Sequence, residues 1–375
     1  MGYGSVDALQ CALTSGLFAY AKDPKKAAGR ALGTLVEMIA FYLLKSWGFE
    51  KHIAIEREVP EYGNPDIRHN VEFTLHPSVE CAAVRLPKGK LPITPKKIAK
   101  QAGCVLAQPS ARQLLTRHEV LRNACTIHED AQGILVAYLG EDDGANYSVA
   151  LRSLLPHPFA VVECKRVGVE EGMKKGPQTI EKAKQGAYVA RTVSSLQRVR
   201  RADGSVDGVL ESGDGKLVCK PYLQFLQEVI ASDDPAMLRS FTLTVGLVSN
   251  HGNWFTSGNH NKELKVLAQS YDWLIFLTDE GLSEFVHSLL VTPQSEYAAV
   301  EEAFHRSYTG AKGLNVFTKV QIALAADQAL QKYFRDNEAT VARWFNVISP
   351  PSRSMKDLRE VMHSLANKDW ARILR

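Results

Sequence analysis

The sequence predicts an α/β fold in which a mixed central sheet is flanked by helices, with a helical insertion and a helical C-terminal region added to that core. Three observations carry this expectation. The runs "PFAVVECKR" (158–166), "FTLTVGLVS" (241–249) and "DWLIFLT" (272–278) centre on short apolar stretches, as strands buried on both faces do. Helical periodicity fills much of the chain around them. With 375 residues, 45% apolar and 23% charged, the chain can bury a large core.

The elements follow in order. Residues 27–46, "AAGRALGTLVEMIAFYLLKS", place Leu32, Leu35, Ile39 and Tyr42 at helical spacing, and Gly48 follows the end. Residues 52–59 and 66–75 read as strands joined by the turn-rich "PEYGNP". In the second, Ile67, Val71, Phe73 and Leu75 share one face, while Asp66, Arg68, Asn70 and Glu72 share the other. Residues 94–130 read as basic and helical, interrupted by Gly103 and Pro109. A long helix over 178–200 follows the 158–166 strand, and "RRADGSVDGVLESGDGK" reads as a surface loop or flap. "EGLSEFVHSLL" is a helix, and beyond Thr292 the chain reads as helical, most clearly in "TKVQIALAADQALQKYF". The expected division is a core of 1–75 and 157–294, an insertion of 76–156 and a C-terminal region of 295–375.

Composition narrows the function classes. No run of consecutive apolar residues approaches the roughly 18 that a membrane helix needs. The N-terminus lacks the pattern of a signal peptide, and Val6 stands where myristoylation wants Ser or Thr. The six cysteines are scattered with no C-x-x-C pair, which points to reduced thiols and away from structural zinc. A cytoplasmic protein is expected, with neither a membrane nor a nucleotide cofactor as partner. The net charge of +4 does not announce nucleic acid, but the cations are clustered: Lys22, Lys25, Lys26 and Arg30; Lys96, Lys97, Lys100, Arg112, Arg117 and Arg122; Arg198, Arg200 and Arg201. Any one cluster reads as a solvated face; three together make a polyanion plausible.

The chemistry starts at "VVECK" (161–165). Residues two apart in a strand emerge on one face, so Glu163 and Lys165 point the same way from a buried strand. Charges there need compensation, and a structural salt bridge is the plain explanation. A third group changes it: Asp66, after Pro65, opens the expected second strand, which by order can lie beside 158–166. Two carboxylates ~4 Å apart repel by roughly 4 kcal/mol at an effective dielectric of 20. A divalent cation between them removes that cost, and oxygen ligands suit Mg²⁺. Lys165 could then orient water or neutralise charge on a phosphate in metal-assisted hydrolysis. Glu37, on a largely apolar helix surface, is either salt-bridged or reaching the same site.

These pieces resemble the PD-(D/E)XK nucleases, most closely type II restriction endonucleases of restriction-modification systems. The matching segments are "GTLVEMIAFYLLKSWGF", "PDI" at 65–67, "VVECK" and "KAKQGAYVA" at 182–190, and with the later strands they cover about half the chain. The resemblance implies that Asp66 and Glu163 bind Mg²⁺ with the backbone carbonyl of Cys164. It implies Lys165 as the catalytic lysine, Glu37 as the auxiliary helix glutamate, and Gln185 as a residue that supports the site or contacts DNA. The expected activity is Mg²⁺-dependent, site-specific hydrolysis of double-stranded DNA by a homodimer, since most such sites are symmetric. Alternatives on the same core are a repair, recombination or modification-dependent nuclease, or a DNA-binding protein that does not cut.

The spacing departs from the family. Asp66 and Glu163 lie 97 positions apart, and Asp142 or Asp143 in "GEDDGAN" is a rival first acid. An inserted DNA-recognition subdomain at 76–156 explains the gap. Within it, 96–122 resembles a helix-turn-helix with a groove-reading helix from Ser110 to Arg122, or a basic helical pair that touches phosphates. Lys96, Lys97, Lys100, Arg112, Arg117 and Arg122 are its candidate DNA contacts, the arginines as readers of guanine. "SNHGNWFTSGNHNKE" lacks the layout of an HNH nuclease and reads as a loop that brings Trp254 and Asn259 to DNA; His69 and His76 read as structural. The C-terminal region is expected to dimerise the protein or contact DNA.

Overall fold

A computed structural model describes residues 6–19, 22–67, 70–105, 109–130, 133–140, 143–168, 186–251, 267–308 and 314–375. His69, Asp142, Gln185, Trp254 and Asn259 lie outside the described residues, as does the first part of the expected 178–200 helix. The chain divides into two compact units: 1–55, 76–157 and 280–341 in the first, and 56–75, 158–279 and 342–375 in the second.

The described strands, in chain order, are β1 (Ile53–Arg57), β2 (Val71–Leu75), β3 (Ser78–Pro87), β4 (Val120–Arg122), β5 (Cys125–Asp130), β6 (Gly133–Leu139), β7 (Asn146–Leu154) and β8 (Ala160–Gly168). There follow β9 (Gln197–Arg200), β10 (Val206–Glu211), β11 (Leu217–Pro221), β12 (Leu243–His251), β13 (Trp273–Leu277), β14 (Gln321–Ala323) and β15 (Phe345–Ser349).

In the first unit the expected helix at 27–46 spans Pro24–Ser46. Asp23 caps it, accepting from the Lys26 amide at 3.0 Å, and Pro24 occupies the first turn where its missing N–H costs nothing. Its best 18-residue stretch has a mean hydropathy of 1.4, enough by length and composition to cross a membrane, which counting uninterrupted apolar runs did not reveal. Yet 67% of that stretch is buried inside the protein, as in a core helix. Near its end, buried Asp327 accepts from the Tyr42 hydroxyl at 2.6 Å, Lys45 Nζ at 3.1 Å and Gln331 Nε2 at 2.6 Å.

The insertion is mostly β, which corrects the expectation of a helical subdomain. An antiparallel sheet in the order β3-β7-β6-β5 fills it, with one helix, Pro95–Ala102, capped by Thr94 and ended by Gly103 at φ 68°. Strand β7 alternates half-buried and buried residues over most of its length, the signature of a sheet with one wet face. Residues 110–122 form no recognition helix. The Leu114 amide donates to the Ile93 carbonyl at 3.0 Å, the Arg122 amide to the Leu114 carbonyl at 2.8 Å, and β4 pairs with β14. The backbone groups a helix would need are committed to strand-like pairing.

A six-stranded mixed sheet runs β1-β2-β8-β12-β13-β15, and its strands from β2 on belong to the second unit. Strands β8, β12 and β13 run parallel; β2 is antiparallel to β8 and β15 to β13. All five residues of β13, "WLIFL", are buried, in line with a sheet covered on both faces. Parallel neighbours need a long crossover. That between β8 and β12 includes a helix described at 186–193, the antiparallel sheet β11-β10-β9 and the helix Tyr222–Ala231. The stretch expected as a flap is therefore strand β10 of that small sheet and the turns on either side of it.

Two further expectations change. The second strand begins at Val71, not at 66. Asn64 Oδ1 accepts the Asp66 amide at 2.9 Å, an Asx-type turn that holds Pro65-Asp66 outside the sheet. The region 295–375 is not one helical tail: its 295–341 part belongs to the first unit, and the rest adds β15 as an edge strand of the second.

Candidate active site

The site is built on β2 and β8. Their antiparallel ladder pairs Leu75 with Ala160, Thr74 with Val161 and Phe73 with Val162. Continued by one residue, it sets Glu72 opposite Glu163, on the face that also carries Lys165. Glu163 is 1% exposed, and Lys165 Nζ lies 3.1 Å from its Oε2. Burial alone would push the Lys165 pKa down, but the Glu163 charge and then that of Glu72 more than offset it. The ammonium is held above its usual value and is charged at neutral pH.

Strand β1 adds a fourth group. Glu56 and Glu72 offer carboxylate oxygens within 4.8 Å of each other. The Glu56 backbone has φ 50°, a left-handed conformation that is uncommon for a residue other than glycine. Both donors are oxygens, the chemistry that Mg²⁺ and Ca²⁺ accept.

Tyr271 closes the site from beneath. Gly246 pairs with Glu163 in the β8–β12 ladder, and a Cβ there would come within 2.6 Å of the Tyr271 ring. Glycine therefore lets the ring lie flat on the strand. A Cβ on Gly186 would meet the Tyr271 hydroxyl at 2.6 Å, Lys165 Cε at 3.5 Å and Glu163 Cγ at 3.7 Å, so the 186–193 helix covers the pair at van der Waals distance. Ala187 and Ala190 of that helix pack with Val248, Leu274, Phe276 and Tyr271. Burial, then the Glu163 charge, pushes the Tyr271 phenol well above its usual range.

The other expected residues are distributed as follows. Asp66 is exposed in its turn, five residues before β2 begins. Asp143 is exposed too; it accepts from the Asn146 amide at 2.7 Å, which holds its carboxyl below the usual range. The Cys164 side chain is buried on the sheet face opposite Glu163. Glu37, in the first unit, takes a 2.8 Å salt bridge from the buried Lys319. Lys96, Lys97, Lys100, Arg112 and Arg117 are exposed, Arg122 half-buried. Lys97 Nζ donates to the carbonyls of Lys90 and Pro92 at 2.8 and 2.9 Å, a loop-holding role. His76 is structural, its Nδ1 2.7 Å from the Leu155 carbonyl.

The chain matches no family model, no curated protein and no solved structure. The site stands on its geometry.

Glu56, Glu72, Gly186, Gly246 and Tyr271 were not singled out as site residues by sequence. A signal existed for Glu72, which shares the Asp66 face of the expected strand. A strand opening at Val71 selects it instead.

Proposed function

We propose that the chain is a Mg²⁺-dependent endonuclease that hydrolyses phosphodiesters of double-stranded DNA at specific sites, in the manner of type II restriction enzymes. The observation that carries the reading is the 3.1 Å pair of buried Glu163 with half-buried Lys165, together with a strand register that sets Glu72 opposite Glu163. An acid on one strand facing an acid-x-lysine on an antiparallel neighbour is the arrangement that the resemblance to PD-(D/E)XK nucleases implies, with Glu72 in the role expected of Asp66.

The donors Glu56 and Glu72 fit a hard divalent ion: both are carboxylates, close enough to share one cation and repelling without it. Such an ion would supply polarisation of the scissile phosphate and a more acidic water. Lys165, held protonated by Glu163, acts as a fixed positive charge beside the phosphate rather than as a base. Glu163 anchors that lysine and offers a further oxygen. Tyr271 and the 186–193 helix exclude water from one side of the pair. The exposed cations Lys96, Lys100, Arg112 and Arg117 are proposed contacts to the DNA backbone or bases, and a cytoplasmic homodimer on a two-fold site completes the proposal.

Incubation of the purified protein with unmethylated phage DNA, in Mg²⁺ or EDTA, beside Lys165→Ala, tests it. Discrete fragments that need Mg²⁺ and vanish in the variant are expected. DNA that is bound yet stays intact across several substrates would sink the catalytic reading.

A further inference from the structure

A cavity of about 700 Å³ in the second unit, not lined by Glu163 or Lys165, sits at the opening ends of β12 and β13, where Thr244 and Asp272 line it. Three arginines also line it: Arg191, Arg198 and Arg200. Among the described residues the one acidic lining group is Asp272, so three guanidinium groups face one carboxylate and two positive charges are left over. Asp272 is itself committed, accepting from the Thr244 amide at 2.7 Å, the Thr244 hydroxyl at 2.8 Å and the Tyr222 hydroxyl.

Arg198 is pre-positioned. Its guanidinium stacks on the Tyr222 ring at 4.0 Å and donates to the Ala268 carbonyl at 2.7 Å and the Tyr222 hydroxyl at 2.9 Å. Arg191 and Arg200 are exposed at the cavity, and among the described residues only Nε of Arg191 is tied, to Ser270 at 3.2 Å. Leu196, Val206, Pro221 and Leu223 give the same cavity an apolar wall. Its volume is that of a small-molecule site, roughly 300–1,000 Å³.

We infer that this cavity binds a phosphorylated nucleoside, its phosphate held by Arg191 and Arg200 over Arg198 and its base against the apolar wall. A surplus of two positive charges matches a phosphate monoester dianion, and forked guanidinium donors suit phosphate oxygens. The apolar wall asks for a flat uncharged group that inorganic phosphate does not have. None of Glu56, Glu72, Glu163 and Lys165 lines this cavity, and the inference does not rest on the proposed nuclease activity.

Calorimetric titration of the full chain with AMP, GMP, CMP and UMP, with adenosine and inorganic phosphate as controls, tests the inference. At least one nucleotide is expected to bind saturably at one per chain, and adenosine and phosphate at least tenfold more weakly. Arg191→Ala/Arg200→Ala should lose at least tenfold in affinity with an unchanged melting temperature. Displacement by a 5′-phosphorylated duplex, but not by its hydroxyl-ended twin, would identify a DNA end as the source; no displacement would identify the free nucleotide. The inference is overturned if no nucleotide saturates, if phosphate alone binds as tightly, or if the double variant binds like the wild type.

Discussion

The register of the β2–β8 ladder, carried one step beyond its Phe73–Val162 pair, sets Glu72 opposite Glu163. They lie 91 positions apart in the chain, and the ladder between β2 and β8 alone brings them together.

That pairing separates two candidate first acids. Glu72→Gln should abolish Mg²⁺-dependent cleavage, by at least a hundredfold in rate, while Asp66→Asn should leave it within a few-fold of wild type. The check is fragment formation over time at fixed Mg²⁺. The reverse ranking would return the role to Asp66 and remove Glu72 from the site.

Lys165 gives a pH signature. Its folded pKa is raised, so the pair's contribution to stability is fully present below the unfolded lysine value of about 10.4 and is lost as pH rises through the higher folded value. In EDTA, chemical denaturation should show wild type and Lys165→Met differing at pH 8 and drawing together only as pH rises beyond the unfolded lysine value of about 10.4. Breaking a fully buried pair costs about 3–5 kcal/mol. With the Lys165 side chain 21% exposed, the loss at pH 8 should fall below that range. A gap that widens with rising pH would mean that the pair does not couple as its geometry indicates.

Gly246 has no room for a side chain. A Cβ would stand 2.6–2.8 Å from three atoms of the Tyr271 ring, so Gly246→Ala should destabilise by about 1–3 kcal/mol through overpacking. Adding Tyr271→Leu should recover part of the loss, a coupling that a double-mutant cycle in urea reads directly. Strict additivity of the two changes would show that the ring does not rest on this glycine.

The thiols should sort by burial. Cys11, Cys81, Cys104 and Cys219 are exposed, while Cys125 and Cys164 are buried. Burial pushes the Cys125 thiol up to about 12, against the opposing pull of Arg122 and Arg112, so little thiolate exists there at pH 8. Iodoacetamide on the folded protein should add four adducts by mass spectrometry, and two more after denaturation. A fifth adduct on the folded protein would contradict the packing around Cys125 or Cys164.

Sequence alone was enough wherever a single segment carries its own physics. The 158–166, 241–249 and 272–278 runs are strands because their apolar centres suit burial on both faces. Glu163 and Lys165 share a face because side chains alternate along any strand. The 27–46 helix was legible from its periodicity, and Asp23 and Pro24 only sharpen its start. What failed depended on partners outside the segment. Within 94–130, residues 120–122 and 125–130 read as helix until β4 pairs with β14 and β5 with β6. β15 sits in a stretch of helices and becomes a strand by pairing with β13. Above all, tertiary structure decided which acid meets Glu163. A proline-aspartate turn and a strand opening at Val71 are both compatible with the local sequence. Only the hydrogen-bond ladder to β8 set the register, placing Glu72 opposite Glu163 and leaving Asp66 in solvent.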